Sequence, residues 1–377
     1  MTSALLQKGF EVELFTGRPS GENVGVSSAV ANDLPGFVTE PDHRNLEYIT
    51  DPLRDYGTLH EALLAPRREL RRWLTPKGLT LLPGSTLSLG DNSRFERSNP
   101  DNPYHGLIEQ TYGTRVVTAS IHINLGIEDP NLLFAAVRLV RCEAALYLAL
   151  SASSPFLSGE CCNNHSQRWH QFPLTPSSVP LFRDHEHYID WVLEQLAEGA
   201  MWNERHLWTS VRPNGPRRPH ELNRLELRIC DLVTDPIQLL AITALLELRI
   251  QQLIREPERL DPLADSPLSA EQLMELADTN DAAAARNSLQ ASLRHWQTGE
   301  RVRCSDWIHE LIHQVRPLAE ELSLERHLTV IDAMLSAGNQ AMQWIEQHQD
   351  GASISDLIRD GALAMARQEE TLSPSLG

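Results

Sequence analysis

The chain has 377 residues, of which 41% are hydrophobic and 22% are charged, as is typical of a globular protein in water. Acidic residues outnumber basic residues by 51 to 33, and the net charge of −18 argues against a nucleic-acid partner, which would require a basic surface. The N-terminus has no signal-peptide pattern, and we find no apolar stretch of about 18 residues that could cross a membrane. We therefore expect a cytoplasmic protein without a membrane partner.

The five cysteines are an odd number in a long chain, which favours reduced thiols over a disulfide framework. Cys161 and Cys162 are adjacent and lie close to His165. A structural zinc site would need a second, well-separated pair of ligands, and the sequence does not offer one. We interpret this segment as a loop with reduced thiols.

The segment GFEVELF near the N-terminus predicts a strand with two different faces. Phe10, Val12 and Leu14 alternate with Glu11 and Glu13, so the apolar side chains share one face and the two carboxylates share the other. The carboxylates would lie about 7 Å apart and would repel each other unless a cation offset their charge. An ordinary amphipathic strand with its polar face in water is the simpler interpretation of this motif alone.

The next part of the chain alternates between loop-like and regular patterns. Residues 16–43 are rich in Gly, Pro, Ser and Asn and predict a long loop with a short strand near 36–39. The segment RNLEYITDP predicts a second strand that carries Glu47 on its polar face, and Glu40 precedes Glu47 by seven residues. A helical pattern follows over Tyr56–Leu74.

Residues 79–89 have a strand pattern, and residues 90–106 are polar and rich in turn residues. The segment TRVVTASIHINLG predicts a further strand, with His122 and Asn124 on its polar face. A mostly apolar helix is predicted over 130–150.

The remaining chain contains two more predicted strands and then a long helical part. After a loop-like region and a helix over 185–196, the segment HLWTSVRPNGP predicts a strand that ends near Arg212. The segment LNRLELRICD repeats the alternation of the first strand, with Arg224, Glu226 and Arg228 on the polar face. From Pro236 onward we expect four or five helices, with loops near 262–267 and 350–351.

These patterns together predict one α+β domain over residues 1–377. An antiparallel sheet in residues 1–235 would have helices on its apolar face, and residues 236–377 would add a helical layer of the same domain.

The polar face of this sheet would collect carboxylates, one imidazole and two guanidinium groups, namely Glu11, Glu13, Glu47, His122, Glu226, Arg212 and Arg228. Carboxylate oxygens with one histidine suit Mg²⁺ or Mn²⁺, and so many carboxylates predict two or more ions. Metal ions beside arginines are an arrangement that handles phosphate groups. Neither GxxxxGK[ST] nor a GxGxxG after a strand occurs, so a nucleotide would need a site on the sheet.

Each residue also has a purely structural interpretation. His122 could be a hydrogen-bonded histidine of the core, Glu226 and Arg228 could form an ion pair on one strand, and Arg212 could be solvated. The recurrence of an acid or a histidine on the polar face of four separate strands is what favours a common site.

Four ordered segments, GFEVELFTG, EPDHRNLEYITDP, YGTRVVTASIHINLG and RLELRICDLVTDP, resemble the successive strands of the glutamate–cysteine ligases of the cyanobacterial type. These enzymes belong to the carboxylate–amine ligase superfamily, whose catalytic sheet is similar to that of glutamine synthetase. The resemblance covers about the first 235 residues. It implies an ATP-dependent ligase that joins the γ-carboxylate of glutamate to the amine of cysteine through a γ-glutamyl phosphate, in the first step of glutathione biosynthesis.

The resemblance also implies roles for individual residues. The metal ligands of the superfamily match Glu11, Glu13, Glu40, Glu47, His122 and Glu226, and the groups that would stabilise the transferred phosphoryl group match Arg212 and Arg228. Some relatives have His-x-His in the third motif where this chain has Asn124 as the second residue, which we assign to ATP or substrate binding with Arg212 and Arg228.

Two alternatives remain open at this point. The first is a ligase of the same superfamily with a different acid or amine substrate, because specificity would depend on the loops 16–43 and 90–105. The second is a non-catalytic regulator that binds a nucleotide or a metal, although such a protein would not need the full set of charged residues. The sequence does not predict the oligomeric state.

Overall fold

The computed structural model describes residues 5–370, and within them seven strands of different lengths form one antiparallel sheet. Two small hairpins lie apart from this sheet. The strands are β1 (Lys8–Gly17), β2 (Phe37–Thr39), β3 (Asn45–Ile49), β4 (Thr80–Leu82), β5 (Ile121–Gly126), β6 (Phe156–Leu157), β7 (Glu160–Cys161), β8 (Val211–Asn214), β9 (Arg224–Leu227), β10 (Ser292–Arg294) and β11 (Arg301–Arg303). The order in the large sheet is β2-β3-β1-β5-β9-β8, and β4 pairs with the end of β1.

The register of this sheet brings the polar residues of different strands side by side. The four strands predicted to carry the charged residues, β1, β3, β5 and β9, are neighbours in the sheet, although they are far apart in the chain. Because side chains alternate between faces, partners in register share a face. The paired residues are Glu13 with Glu47, Glu11 with His122, Asn124 with Glu226, and Arg212 with Glu226.

Helices cover the apolar face of the sheet and form the C-terminal half of the molecule. They are α1 (Ser27–Asp33), α2 (Tyr56–Leu74), α3 (Pro103–Tyr112), α4 (Pro130–Ser151), α5 (Gln167–Gln171), α6 (His185–Ala197), α7 (Pro236–Arg255), α8 (Pro257–Leu260), α9 (Pro262–Asp265), α10 (Ala270–Asn287), α11 (Cys304–Leu322), α12 (Glu325–Ala337), α13 (Gln340–Gln349) and α14 (Ile354–Glu370). One hydrophobic core contains side chains from both halves, for example Phe10 of β1, Leu146 of α4 and Leu245 of α7.

Helix α7 corrects the expectation that the chain has no apolar segment long enough to cross a membrane. Its length and composition pass that test, but 83% of the relevant window is buried inside the protein. Most of its polar residues are buried with it, and Glu247 pairs with Lys8 of β1 at 3.0 Å between Oε2 and Nζ. We therefore interpret α7 as a core helix that anchors the start of β1.

Several local predictions were wrong. Only Thr80–Leu82 of the predicted strand 79–89 pairs with the sheet, because Pro83 lacks an N–H donor and Gly84 has a φ of +88°. Part of the predicted loop 16–43 is α1, and the polar segment before residue 106 ends in α3, whose first turn is capped by Asn102 and contains Pro103.

The region between α4 and α6 was predicted to be a loop, but it contains the β6–β7 hairpin and α5. Up to residue 370, the C-terminal part has six helices of ten or more residues instead of four or five. The short α9 occupies part of the loop predicted near 262–267, and the short α8 lies just before that loop. The C-terminal part also contains the β10–β11 hairpin, which we did not predict because its strands have only three residues each.

Candidate active site

The polar face of β1, β3 and β5 carries a compact cluster of carboxylates around His122. Nδ1 of His122 lies 3.0 Å from Oε2 of Glu11, and its Nε2 lies 3.1 Å from the hydroxyl oxygen of Ser120. Ser120 in turn donates to Oε2 of Glu13 at 2.8 Å. Asn124 donates its side-chain amide to Oε1 of Glu11 at 3.2 Å. The imidazole and the two carboxylates of β1 are therefore held by hydrogen bonds and not by packing alone.

Glu47 of β3 belongs to two groups of side chains that could hold metal ions. One group consists of Glu11, Glu47 and His122, and the other of Glu13, Glu40 and Glu47. Within each group the candidate ligand atoms lie within 4.8 Å of one another. A carboxylate shared by two groups suits two neighbouring divalent cations, because its two oxygen atoms can bind one ion each.

Two carboxyl groups of the cluster have raised pKa values because they are buried and lie close to other carboxylates. Burial, and then the charge of Glu13, raises the pKa of Glu40 to about 8. Burial and the charges of Glu40, Glu11 and Glu13 raise the pKa of Glu47 to about 10. Burial and Glu226 oppose the ionisation of Glu11, but the hydrogen bond and the charge of His122 outweigh them and lower its pKa. A bound cation would favour ionised Glu40 and Glu47.

Glu226 of β9 differs from the other carboxylates because cations already surround it. Arg212 donates to both of its oxygens, with Nε at 2.7 Å and Nη2 at 3.1 Å, and Asn214 donates to Oε2 at 2.6 Å. Arg228 also donates to Oε1. Burial opposes ionisation, but Arg212 and Arg228 outweigh it and keep the pKa of Glu226 well below its usual value. Glu226 lies next to His122, 3.5 Å from its Nδ1, but outside both groups of candidate metal ligands.

The two predicted arginines occupy different environments. The Nη1 atom of Arg212 donates to the carbonyl oxygens of Arg205 at 3.0 Å and Leu207 at 2.8 Å, so its guanidinium is committed to Glu226 and to the backbone. Arg228 borders a cavity beside the acidic cluster, and its Nη1 lies 3.4 Å from Nδ1 of His122. Of the two, Arg228 is the one positioned to contact a molecule in that cavity.

Two cavities meet the acidic cluster on opposite sides. The smaller cavity has a volume of about 80 Å³ and is bordered by Glu13, Glu40, His122 and Arg228. The larger cavity has a volume of about 520 Å³ and lies at the other end of the polar face, against Glu11, Asn124 and Arg224. The carboxylates of the cluster therefore lie between two spaces.

Arg168 of α5 borders the smaller cavity, and we did not predict it from the sequence. Its Nη1 donates to the carbonyl oxygen of Ile229 and its Nη2 to that of Arg228, both at 2.9 Å. The buried Asp231 lies 3.6 Å from Nη1, and the Nε atom has no hydrogen-bond partner among the described residues. Arg168 thereby connects α5 to the strand end that carries Arg228. No local motif marks it, because α5 has only five residues.

Aromatic side chains form part of the wall of the smaller cavity, and we did not predict this aromatic wall from the sequence. The rings of Trp169 and Phe172 stack with centroids 6.0 Å apart, and Phe172 contacts Trp208 at 5.3 Å. The imidazole of His206 packs edge-on against Trp208 at 4.5 Å, and its Nε2 lies 2.9 Å from the hydroxyl oxygen of Tyr112. These residues come from α3, from α5 and from the loops that follow α5 and α6, and they approach one another only in the folded protein.

Comparison with known proteins identifies the class to which this fold and site belong. A family model described as glutamate–cysteine ligase family 2 (GCS2) matches residues 7–362. A protein of Thermobifida fusca (strain YX), provisionally named glutamate–cysteine ligase 2, is 25% identical over 363 residues, which cover 91% of this chain and 87% of that protein. A protein of Gloeobacter violaceus with the same provisional name is 24% identical over 334 residues, or 86% of each chain.

Two solved structures share the fold. The glutamate–cysteine ligase of Francisella tularensis in complex with AMP superposes with a TM-score of 0.73 at 11% identity, over all of this chain and 91% of that one. A bifunctional glutathione synthetase from Pasteurella multocida also gives a TM-score of 0.73, at 16% identity over 97% of this chain, and this chain spans 52% of that enzyme's length. The protein is an ATP-dependent ligase. It belongs to glutamate–cysteine ligase family 2, as the strand motifs predicted.

Proposed function

We propose that this enzyme joins the γ-carboxylate of glutamate to the amine of cysteine, with ATP as co-substrate, and so forms γ-glutamylcysteine, ADP and phosphate. The observation that carries this proposal is the pair of candidate metal groups that share Glu47, with Arg228 beside them, in a member of this family. The reaction would be the first step of glutathione synthesis in the cytoplasm, and the sheet would correspond to that of glutamine synthetase.

The residues of the cluster fit divalent cations. Glu11, Glu47 and His122 would hold one ion, and Glu13, Glu40 and Glu47 a second, with Mg²⁺ or Mn²⁺ preferred by this oxygen-rich set. Bound there, the ions would offset the charge of the ATP phosphates. The excess negative charge and the raised pKa values of Glu40 and Glu47 support this assignment, because the cluster is electrostatically incomplete by itself.

Glu226 completes the predicted ligand set in a different way. Arg212, Asn214 and Arg228 already bind its carboxylate, so it would approach an ion only after one of these bonds opened. We propose that Arg212 acts by fixing Glu226, and that Glu226 in turn orients Arg228 and His122. This retains both arginines at the site but gives direct contact with the phosphoryl group to Arg228.

The two cavities suggest how the substrates are arranged. The larger one is in the size range of nucleotide and cofactor sites and is bordered by Asn124 and Arg224, so we assign ATP to it. The smaller one, beside Arg228 and Arg168, would hold the amine substrate, and the γ-carboxylate of glutamate would lie at the acidic cluster between the two cavities. The acidic cluster lies between them, which is where the γ-phosphoryl group must pass.

The chemistry would proceed in two steps. An oxygen of the glutamate γ-carboxylate attacks the γ-phosphorus of ATP, the bond to ADP breaks, and Arg228 stabilises charge on the transferred group. The uncharged amine of cysteine then attacks the acyl carbon, phosphate leaves, and the nitrogen releases a proton. The acyl phosphate is required because a free carboxylate is a poor electrophile at neutral pH. No nucleophilic side chain is needed.

A ligase with a different acid or amine is the principal alternative, since the relatives are only about a quarter identical to this chain. A regulator without turnover is the other alternative that the sequence left open. The deciding experiment is an assay of ADP and phosphate release with ATP, Mg²⁺, glutamate and cysteine, in which each is omitted in turn and the product is identified by mass. Release of ADP and phosphate that depends on all four components supports the proposal. Release that occurs only with other amino acids supports the first alternative. Binding of ATP or Mg²⁺ without such release supports the second.

A further inference from the structure

A residue that borders the smaller cavity has a buried hydroxyl group without a hydrogen-bond partner in the described part of the chain. Thr209 borders this cavity and is only 2% exposed, and its Oγ1 atom forms no hydrogen bond with any described residue. A buried hydroxyl without a partner is uncommon in folded proteins, because the lost hydrogen bonds to water are not replaced. Rotation about the Cα–Cβ bond of Thr209 would turn the hydroxyl, which is not accessible in the present rotamer, toward the cavity, where a ligand with a hydrogen-bonding group would bond to it.

The backbone on both sides of Thr209 is fixed. Trp208 exchanges two hydrogen bonds with Thr175, its N–H donating to the Thr175 carbonyl at 2.7 Å and its carbonyl accepting from the Thr175 N–H at 3.1 Å. The carbonyl oxygen of Ser210 accepts the N–H groups of Arg228 at 2.8 Å and Ile229 at 3.2 Å. The Thr209 backbone is therefore held on each side by contacts that do not involve the hydroxyl, and only the side-chain torsion has to change for the hydroxyl to face the cavity.

The surroundings of the hydroxyl restrict what it could bind. The cavity is also bordered by Ile108, Val116 and the aromatic wall of Trp169, Phe172 and Trp208. A cavity of about 80 Å³ with such a wall accepts a short side chain but not a long or charged one. A small group that is largely apolar and still forms one hydrogen bond, such as a thiol or a hydroxyl, matches both the wall and Thr209.

We propose that Thr209 is a specificity-determining residue, and that its hydroxyl selects an amine substrate whose short side chain ends in a thiol or hydroxyl group. This inference rests on the proposed function, because it places the amine substrate in the smaller cavity. An amine of the same size without such a group leaves Thr209 buried without a partner and is rejected.

The test compares cysteine, serine and 2-aminobutyrate. The ethyl side chain of 2-aminobutyrate has nearly the shape of the cysteine side chain but no hydrogen-bonding group. For each amine, kcat/KM is measured at saturating ATP and glutamate in the wild type, Thr209→Val and Thr209→Ser. We expect the wild type to favour cysteine or serine over 2-aminobutyrate by roughly ten- to a hundredfold. Thr209→Val should reduce this preference to less than about threefold, and Thr209→Ser should keep most of it. Thr243→Val, which removes a hydroxyl bonded to the Leu239 carbonyl inside α7, should leave the preference unchanged.

A preference that survives in Thr209→Val, or that the wild type lacks, overturns the inference. So does an equal loss with all three amines accompanied by a lower melting temperature, which would show a structural role. Ligand-induced shifts in melting temperature with the same three amines, in the presence of ATP and glutamate, give a readout without turnover. The protein could release no ADP and still show melting-temperature shifts that differ among the three amines in the wild type but not in Thr209→Val. That result would support the role of Thr209 and overturn the proposed reaction instead.

Discussion

Two buried clusters of charged residues, one on the polar face of the sheet and one between helices α4 and α7, differ in how their charge is balanced. Between the helices, Glu143 of α4 receives hydrogen bonds from Arg249 of α7 and from Nε1 of Trp296 at 3.0 Å. Arg249 donates its remaining bonds to Gln252 and Gln314. Charge and hydrogen bonds are both balanced there. On the sheet, Glu40 and Glu47 have no arginine or lysine within ion-pair distance among the described residues.

The difference separates a structural role from a functional one. A balanced buried ion pair fixes how two helices meet, and nothing has to be added to it. An unbalanced cluster costs stability unless its carboxyl groups stay protonated or a ligand offsets their charge, and such a cluster is therefore a candidate binding site. Glu226 lies between the two extremes, since Arg212 and Arg228 balance it although it belongs to the site.

The largest effect is expected for Glu47→Gln. Because Glu47 belongs to both candidate metal groups, its loss should lower kcat by more than roughly 10⁴-fold, or about 5 kcal/mol. The pKa of about 10 makes this side chain neutral at pH 7 without metal, so the amide should keep the free energy of unfolding of the metal-free protein within about 1 kcal/mol. Turnover, Mg²⁺ titration of the melting temperature and urea unfolding test this, with Glu258→Gln on exposed α8 as control. Normal turnover of Glu47→Gln at limiting Mg²⁺ would remove the metal assignment.

Glu143→Gln should show the reverse behaviour. Removing one member of a buried ion pair leaves Arg249 without its counter-charge and should lower the free energy of unfolding by about 3–5 kcal/mol. The protein that remains folded should keep its KM for ATP. Urea unfolding measures the loss, and Glu321→Gln in the exposed pair with Arg255 is the matched control, with an expected change below about 1 kcal/mol. Equal changes in the two variants would contradict the structural role of Glu143.

Two substitutions, Arg228→Lys and Arg212→Lys, test whether the two arginines of the site have different roles. Lysine cannot supply the forked donors of arginine, so Arg228→Lys should lower kcat by roughly 10²-fold, about 3 kcal/mol, with little change in melting temperature. Arg212→Lys should mainly lower the melting temperature, because its guanidinium bonds to Glu226 and to the backbone. Measuring kcat and melting temperature in both variants checks this. A normal kcat for Arg228→Lys would exclude it from phosphoryl transfer.

The smallest effect concerns His206 in the aromatic wall. Burial lowers its pKa from 6.5 to about 4, so the folded state binds fewer protons than the unfolded state between these values. The neutral imidazole therefore stabilises the fold above pH 6.5, and this stability is lost as the pH falls toward 4. Between pH 6.5 and pH 5 the loss should be about 2 kcal/mol. Urea unfolding at pH 7 and pH 5 should show a loss smaller by this amount in His206→Gln, and parallel losses in both proteins would contradict the assignment.

The sequence was sufficient for the strands that carry the site, because alternation with a period of two is a local property. Glu11, Glu13, Glu47, His122 and Glu226 lie where the alternation placed them, on the polar face of one antiparallel sheet. Helices α2, α4 and α6 begin and end within one or two residues of their predicted bounds, since apolar periodicity and capping residues such as Asp129 mark them. The family followed from the same strand motifs.

The tertiary structure decided which of these charged side chains border a cavity or a candidate metal site and which are fully bonded inside the protein. Nothing in the sequence shows that Arg212 is committed to Glu226 while Arg228 borders a cavity, or that Glu47 is shared by two groups of ligands. No local sequence pattern marks Arg168, Thr209 or the aromatic wall, because these residues come from loops and a five-residue helix that packing brings together. Periodicity encodes the face on which a side chain lies, whereas hydrogen-bond partners and charge balance depend on neighbours that are distant in the chain.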